Sequence, residues 1–283
     1  MGLESIFNII FTDEIIAGAI VGSVIIPLLI FLVTKFLMTV FNQVSKRKLL
    51  GNFKDNNLLS KIYLKELVDT NKSNTYLHKL PDYDPPKTSN QYSPGINIPN
   101  VYAKCDVECM TDFINILGSV GKTKNIQFSS VEKEWSEWDN PIVSIGGHFV
   151  TDKIFDKCNP IYCKKTNDSF KLNNMKEPVK CYGKDYGLIM KTKNIEHDFD
   201  VFVLMGLGVR GTSASGFFFR KYYNHIAKLY GSKAFALLLK CELNEGKEDA
   251  TLINFYPEPA IYKKILHPFV WSKFNKQVSN KKK

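Results

Sequence analysis

Between Phe199 and Lys221 the chain reads FDVFVLMGLGVRGTSASGFFFRK, and Gly206, Gly208 and Gly211 fall in the spacing G-x-G-x-x-G. An apolar run precedes these glycines and a helix-forming run follows them. At such a strand-to-helix turn, free backbone amides and the positive end of the helix dipole favour an anion. Arg210 adds a planar fork suited to phosphate or carboxylate, and Thr212 and Ser213 put hydroxyls in the first turn. A second apolar run, NPIVSIGGH, ends in Gly146 and Gly147. Ligands of open α/β sheets gather beyond the carboxyl ends of the strands. Gly146, Gly147, Gly206, Gly208, Arg210, Gly211, Thr212 and Ser213 are therefore the expected seat of a nucleotide or other small phosphorylated ligand. The competing reading is a pair of tight turns without a ligand, where glycine serves positive φ and close packing. No metal site and no tightly held cofactor is expected.

A conventional NAD(P) dehydrogenase is excluded on two grounds. Its fingerprint belongs on the first strand of the domain, whereas this one lies on about the fourth. The acidic residue that grips the ribose should follow about 20 residues on, and no acidic residue lies between Asp200 and Glu242. Three residues are candidates for catalysis. His148 follows the paired glycines and could transfer a proton. Asp185, in KDYGLI, either orients a sugar hydroxyl or sets the turn before Tyr186 and Gly187. Glu134 lies beside Trp135 and Trp138, which either stack on a base or fill the core. Whether the chain is an enzyme stays open at this level.

Residues 15–34, IIAGAIVGSVIIPLLIFLVT, contain no charge. Twenty residues at about 1.5 Å each match the hydrocarbon core of a bilayer, so a single transmembrane helix is expected. The first fourteen residues carry no Lys or Arg, whereas Lys35, Lys46, Arg47, Lys48 and Lys54 follow the run. The positive-inside rule then puts the N-terminus outside and the main domain in the cytoplasm. The six cysteines show no CxxC pair and no histidine at ligand spacing, which fits unpaired thiols in a reducing compartment. Gly18 and Gly22 form a G-x-x-x-G that would let two copies of the helix meet. Pro27 removes a backbone donor in mid-span and should distort the helix.

The formal charge of +10 comes from 38 basic residues, of which only Arg47, Arg210 and Arg220 are arginine. Scattered lysines without a basic helix or interleaved aromatics do not make a base reader, so no nucleic-acid partner is expected.

The positioning elements divide the chain into an extracytoplasmic N-terminus (1–14), the membrane helix with its proximal end (15–41), a juxtamembrane helix over 57–69 with a Pro-rich linker (within 42–95), and a folded domain (96–283). From residue 97 apolar strands alternate with helices. Strands are predicted in NIPNVYAKCD, NIQFSS, NPIVSIGG, DVFVLMGLG, KAFALLLKCEL and ATLINFYPE, and a small hairpin in YGLIMKT. Helices are predicted in VECMTDFINILGSVG, HFVTDKIFDKC and GTSASGFFFRKYYNHIAKLY, the last closed by Gly231. Continuous apolar strands between helices imply a parallel sheet covered on both faces. The fold class read from this pattern is a Rossmann-like α/β sandwich.

The segments NPIVSIGGHFVTDKI, DYGLIMK and VFVLMGLGVRGTSASGFFF, within residues 96–245, resemble a group of bacterial and archaeal Rossmann-like, flavodoxin-type domains. These carry a G-G turn, a D-Y-G-(L/V)-I segment and G-T-x-(A/G)-A, and are attached to membrane or helix-turn-helix segments; archaeal surface-layer domains are more distant. The resemblance implies the fold and no particular activity. His148 stands where Pro or Asn is usual in that group. Three functions remain: a membrane-anchored sensor of a nucleotide-like ligand, an interaction domain without ligand, and a hydrolase of nucleotides or N-glycosidic bonds.

Overall fold

The computed structural model describes residues 21–64, 103–130, 139–166, 168–242, 246–266, 269 and 271–273. Gly18, Glu134, Trp135, Trp138, most of the Pro-rich segment and the lysine tail lie outside the described residues. The chain divides into two units, Met1–Ser45 and Lys46–Lys283.

The described part of the first unit is a π turn, Val21–Ile25, and helix α1 (Ile26–Leu50) as far as Ser45. A proline at 27 clashes with the carbonyl four residues earlier, and residue 23 lies within that wider turn. Among the described residues this is the one helix long and apolar enough to cross a membrane. Large apolar side chains stay exposed along it from Val24 to Val44.

The second unit is α/β. Its strands are β1 (Ser60–Leu64), β2 (Ile126–Ser130), β3 (Ile142–Ile145), β4 (Cys158–Asn159), β5 (Cys163–Lys165), β6 (Ser169–Leu172), β7 (Val179–Lys180), β8 (Lys184–Asn194), β9 (Asp200–Gly206), β10 (Phe235–Glu242) and β11 (Thr251–Tyr256). The main sheet runs in the order β11-β10-β8-β9-β3-β1-β2, with β4 paired to β8, while β5, β6 and β7 form a separate small sheet. Neighbours β2, β1, β3 and β9 are parallel; β8 runs antiparallel between β9 and β10. The sheet is thus mixed and largely parallel rather than wholly parallel. The helices are α2 (Lys104–Ser119), α3 (Phe149–Lys157), α4 (Val209–Tyr230) and α5 (Ile261–Leu266). Gly231, at φ 60°, ends α4 in a conformation that costs glycine little.

Alternate residues of each central strand face opposite cores, as strand pleating requires. Ile62, Ile145, Phe202, Leu204, Leu237 and Leu239 join the cluster under α2 and α4, while Tyr63, Val201, Val203, Met205 and Leu238 join the cluster with Val150 and Ile154 of α3. Burial on both faces explains why these strands read as unbroken apolar runs.

Three expectations are corrected. Residues 57–69 do not form a helix throughout: Ser60–Leu64 is a central strand between β2 and β3. The folded unit accordingly begins at Lys46 and not near Ile96. Of the strand expected over 97–106, residues 97–102 lie outside the described residues and 104–106 belong to α2, while YGLIMKT belongs to the long central strand β8 rather than to a small excursion.

The last turn of α1 is built into this unit. Leu49, Leu50 and Phe53 are fully buried. The Phe53 ring lies 5.5 Å from that of Phe202 and 5.9 Å from that of Phe113, edge-on to both. Lys191 Nζ donates to the Leu49 carbonyl (2.7 Å) and the Ser232 carbonyl (3.2 Å) and pairs with Asp200 Oδ1 at 2.9 Å. Asp200 Oδ2 accepts the Asn52 N–H at 2.9 Å. Gly51, at φ 54°, permits the turn, and a Cβ there would run into the Asp200 carboxylate.

Candidate ligand cleft

The start of α4 is satisfied from within the chain. Asp185, second residue of β8, is 2% exposed. Its Oδ1 accepts the N–H of Gly208 (2.8 Å) and of Tyr186 (2.7 Å), and its Oδ2 accepts the N–H of Gly211 (2.7 Å). A carboxylate thus stands where the helix dipole and free amides would hold a ligand anion. The Thr212 hydroxyl accepts the Gly206 N–H at 2.9 Å. The Ser213 hydroxyl donates to Glu108 Oε2 at 2.5 Å, and Lys247 Nζ donates to the same oxygen at 2.9 Å. The Ser213 bond, then that from Lys247, holds the Glu108 carboxyl below its usual range.

The glycines of this turn let helix and strands approach closely. A Cβ on Gly211 would strike the Tyr186 carbonyl, and one on Gly206 would strike the Gly208 carbonyl and the Thr212 amide. Arg210 is exposed in the first turn of α4.

Beside this packed turn, at the carboxyl ends of β3 and β9, a cleft of about 440 Å³ opens. Gly146, Gly147, Gly206, Gly208 and Thr212 of the expected set line it, and Arg210, Gly211 and Ser213 do not. Ala103, Cys105 and Asp106 from the start of α2, Lys165 at the end of β5 and Thr166 after it also line the cleft, with Met205, Leu207 and Val209. Gly146 has φ 83°, and a Cβ there would lie 3.0 Å from Asp106 Oδ2, so both backbone and neighbour call for glycine. Gly147 is different: it is exposed, and an added Cβ would make only an ordinary 3.6 Å contact with Met205 Cε.

Asp106 is 6% exposed and is the carboxylate of this cleft, a residue that sequence reasoning missed. The signal available was its place in the first turn of a helix, a place that Asp152 also holds in α3. Cys105 Sγ donates to Asp106 Oδ1 at 3.3 Å. Burial, then the Asp106 charge, pushes the Cys105 thiol up to about 12, so it is held as a thiol and not as a nucleophilic thiolate. Lys165 forms an ion pair with Asp152 of α3.

Neither Asp185 nor His148 lines the cleft. Asp185 caps α4. His148 precedes α3 and is 6% exposed; its Nε2 lies 3.3 Å from Ser144 Oγ, which lies 2.8 Å from Thr151 Oγ1. Thr151 in turn donates to the Gly146 carbonyl at 2.7 Å. That hydroxyl chain supports the Gly146 turn, and His148 is not among the lining residues. Glu134 lies outside the described residues. Among the described residues no three His, Cys, Asp or Glu side chains group as a metal site requires. The cleft offers hydrogen bonding and one carboxylate, which suits binding.

No protein-family model matches the chain, and a search of curated proteins finds no significant match.

Proposed function

We propose that this chain is a single-pass membrane protein whose cytoplasmic α/β domain, Rossmann-like in build, binds a small polar ligand of the nucleotide class in the cleft between β3 and β9. The observation that carries this reading is the open cleft itself, at the strand ends where such sheets take ligands. Asp106 suits hydroxyl or amino donors of the ligand, and Lys165, paired with Asp152, is the cation in the lining that a phosphate would share with that carboxylate. The α4 amides, already bonded to Asp185, have no part in holding that phosphate.

The anchor reading is supported by the apolar surface of α1 and by the charge bias around it. The intact protein should resist alkaline carbonate extraction. A C-terminal fluorescent fusion should be bright and an alkaline phosphatase fusion inactive; the reverse pattern would put the domain outside. Ligand class is tested by thermal unfolding of the full chain in nanodiscs against nucleotides, nucleosides and sugar phosphates. A ligand at about 100 times its Kd stabilises by about 2.7 kcal/mol, and a panel without any shift defeats the proposal.

The Asp185 cap favours a second reading, an interaction domain whose glycine turns serve packing alone. A hydrolase has less support, because neither Asp185 nor His148 lines the cleft.

A further inference from the structure

At the end of the strands opposite the cleft, an edge formed by the end of β8 and the starts of β9 and β10, the chain enters the domain from α1. The Lys191 bond to the Leu49 carbonyl fixes that entry beside the end of β8, and Asp200 fixes it beside the start of β9. Exposed apolar side chains of α1 continue to Val44, and the domain begins at Lys46. In sequence, a single residue, Ser45, separates the last of these apolar side chains from the domain.

The same edge is cationic. Arg47, Lys48, Lys54 and Lys233 are exposed, and Lys193 is half-buried. The acids nearby include Asp55, Glu196 and Asp198, the last of which pairs with Lys193 at 2.7 Å, and Glu258, next to Pro257, which pairs with Lys264 at 2.6 Å; Lys191 is already matched by Asp200. Lys193 and Lys233 border a depression of about 310 Å³ whose walls include Pro160, Tyr162, Ser232 and Pro257. Next to Lys193, on the turn between β8 and β9, Ile195 is 66% exposed. Cations around a partly apolar depression, with a projecting isoleucine, match the chemistry of a lipid interface: anionic headgroups outside, acyl chains beneath.

We propose that this edge is a docking surface for anionic phospholipid headgroups of the bilayer that holds α1, with Lys193 and Lys233 as the headgroup contacts and Ile195 as the inserted side chain. The inference rests on α1 being the membrane anchor. It adds a regulated orientation: lipid charge sets how firmly this edge lies on the bilayer, and the ligand cleft opens at the opposite end of the strands.

Hydrogen–deuterium exchange on the full chain in nanodiscs tests it, comparing phosphatidylcholine discs with discs that also contain phosphatidylglycerol. Backbone amides of 195–199 and 231–234 should exchange more slowly in the anionic discs, by about fivefold for each engaged lysine. About 1 M salt, with a screening length of about 3 Å, should abolish the difference. The double variant Lys193→Glu, Lys233→Glu should lose it, and Ile195→Ser should weaken it. Both positions of the double variant are far in sequence from the span, so the charge bias that orients α1 stays intact; the variant should melt in neutral discs as the parent does. Equal exchange in the two disc types overturns the inference alone. Loss of the protein from the discs overturns the anchor, and the inference with it. Equal protection by a soluble polyanion such as RNA in neutral discs would assign the surface to nucleic acid instead.

Discussion

Asp185 Oδ2 accepts the backbone N–H of Gly211 at 2.7 Å, tying the start of β8 to the first turn of α4 across 26 residues of chain. The bond explains why a glycine pattern typical of phosphate binding here surrounds a side chain of the protein itself. It also makes Asp185 a stability residue.

Replacing Asp185 by Ala removes the acceptor for three backbone N–H groups. Lost caps cost about 0.5–2 kcal/mol and orphaned donors about 1–3 kcal/mol each. We expect Asp185→Ala to lose about 2–4 kcal/mol in urea unfolding, and Asp185→Asn to lose less because one oxygen remains an acceptor. An unchanged midpoint for Asp185→Ala would refute the cap.

The entry of α1 gives a second outcome. Lys191→Met leaves Asp200 buried without its cation and should cost about 3–5 kcal/mol. Phe53→Ala, which empties the site between Phe113 and Phe202, should cost a similar ~3–5 kcal/mol. A fragment beginning at Lys46 should fold, whereas one beginning at Asn56 lacks Leu49, Leu50 and Phe53 and should not. Cooperative melting of the shorter fragment would contradict this packing.

The buried thiols predict an alkaline loss of stability. Burial pushes Cys158 and Cys163 from 9.0 to about 12. Between those values the unfolded chain has released these protons and the folded chain has kept them, so stability falls as pH rises. Each thiol contributes about 1.4 kcal/mol per pH unit there. Lys191 acts in the opposite sense: burial lowers it below 10.5, so below that value the unfolded chain binds the extra proton and stability rises with pH. Urea midpoints measured above pH 9 should fall, and Cys163→Ala should make the fall shallower; an unchanged slope would be the contrary result. Native labelling should reach Cys181 first, the exposed thiol of the six.

The runs NPIVSIGG and DVFVLMGLG announced β3 and β9 because doubly buried strands are unbroken in hydrophobicity. LLSKIYLKELVDT misled because its short apolar run satisfies both helical and strand spacing, and the partners that decide, β2 and β3, lie more than 60 residues away. Sequence separation also hides Asp106 and Asp185. A carboxylate declares itself as cap or cleft residue only when Gly146 or Gly211 has been folded against it. The glycines themselves were legible; what fills the space beside them was not.

The direct test of the cleft is at Gly147. Its backbone does not require glycine, and an added Cβ meets only Met205 Cε at 3.6 Å, so Gly147→Leu should keep the fold while filling the cleft. Titration calorimetry of the full chain in nanodiscs, with the nucleotide-class ligand that most stabilises the parent protein, should show saturable binding to the parent and at least tenfold weaker binding to Gly147→Leu, about 1.4 kcal/mol or more. Equal affinity in the two proteins, with both equally stable, would contradict the assignment of this cleft as the ligand site.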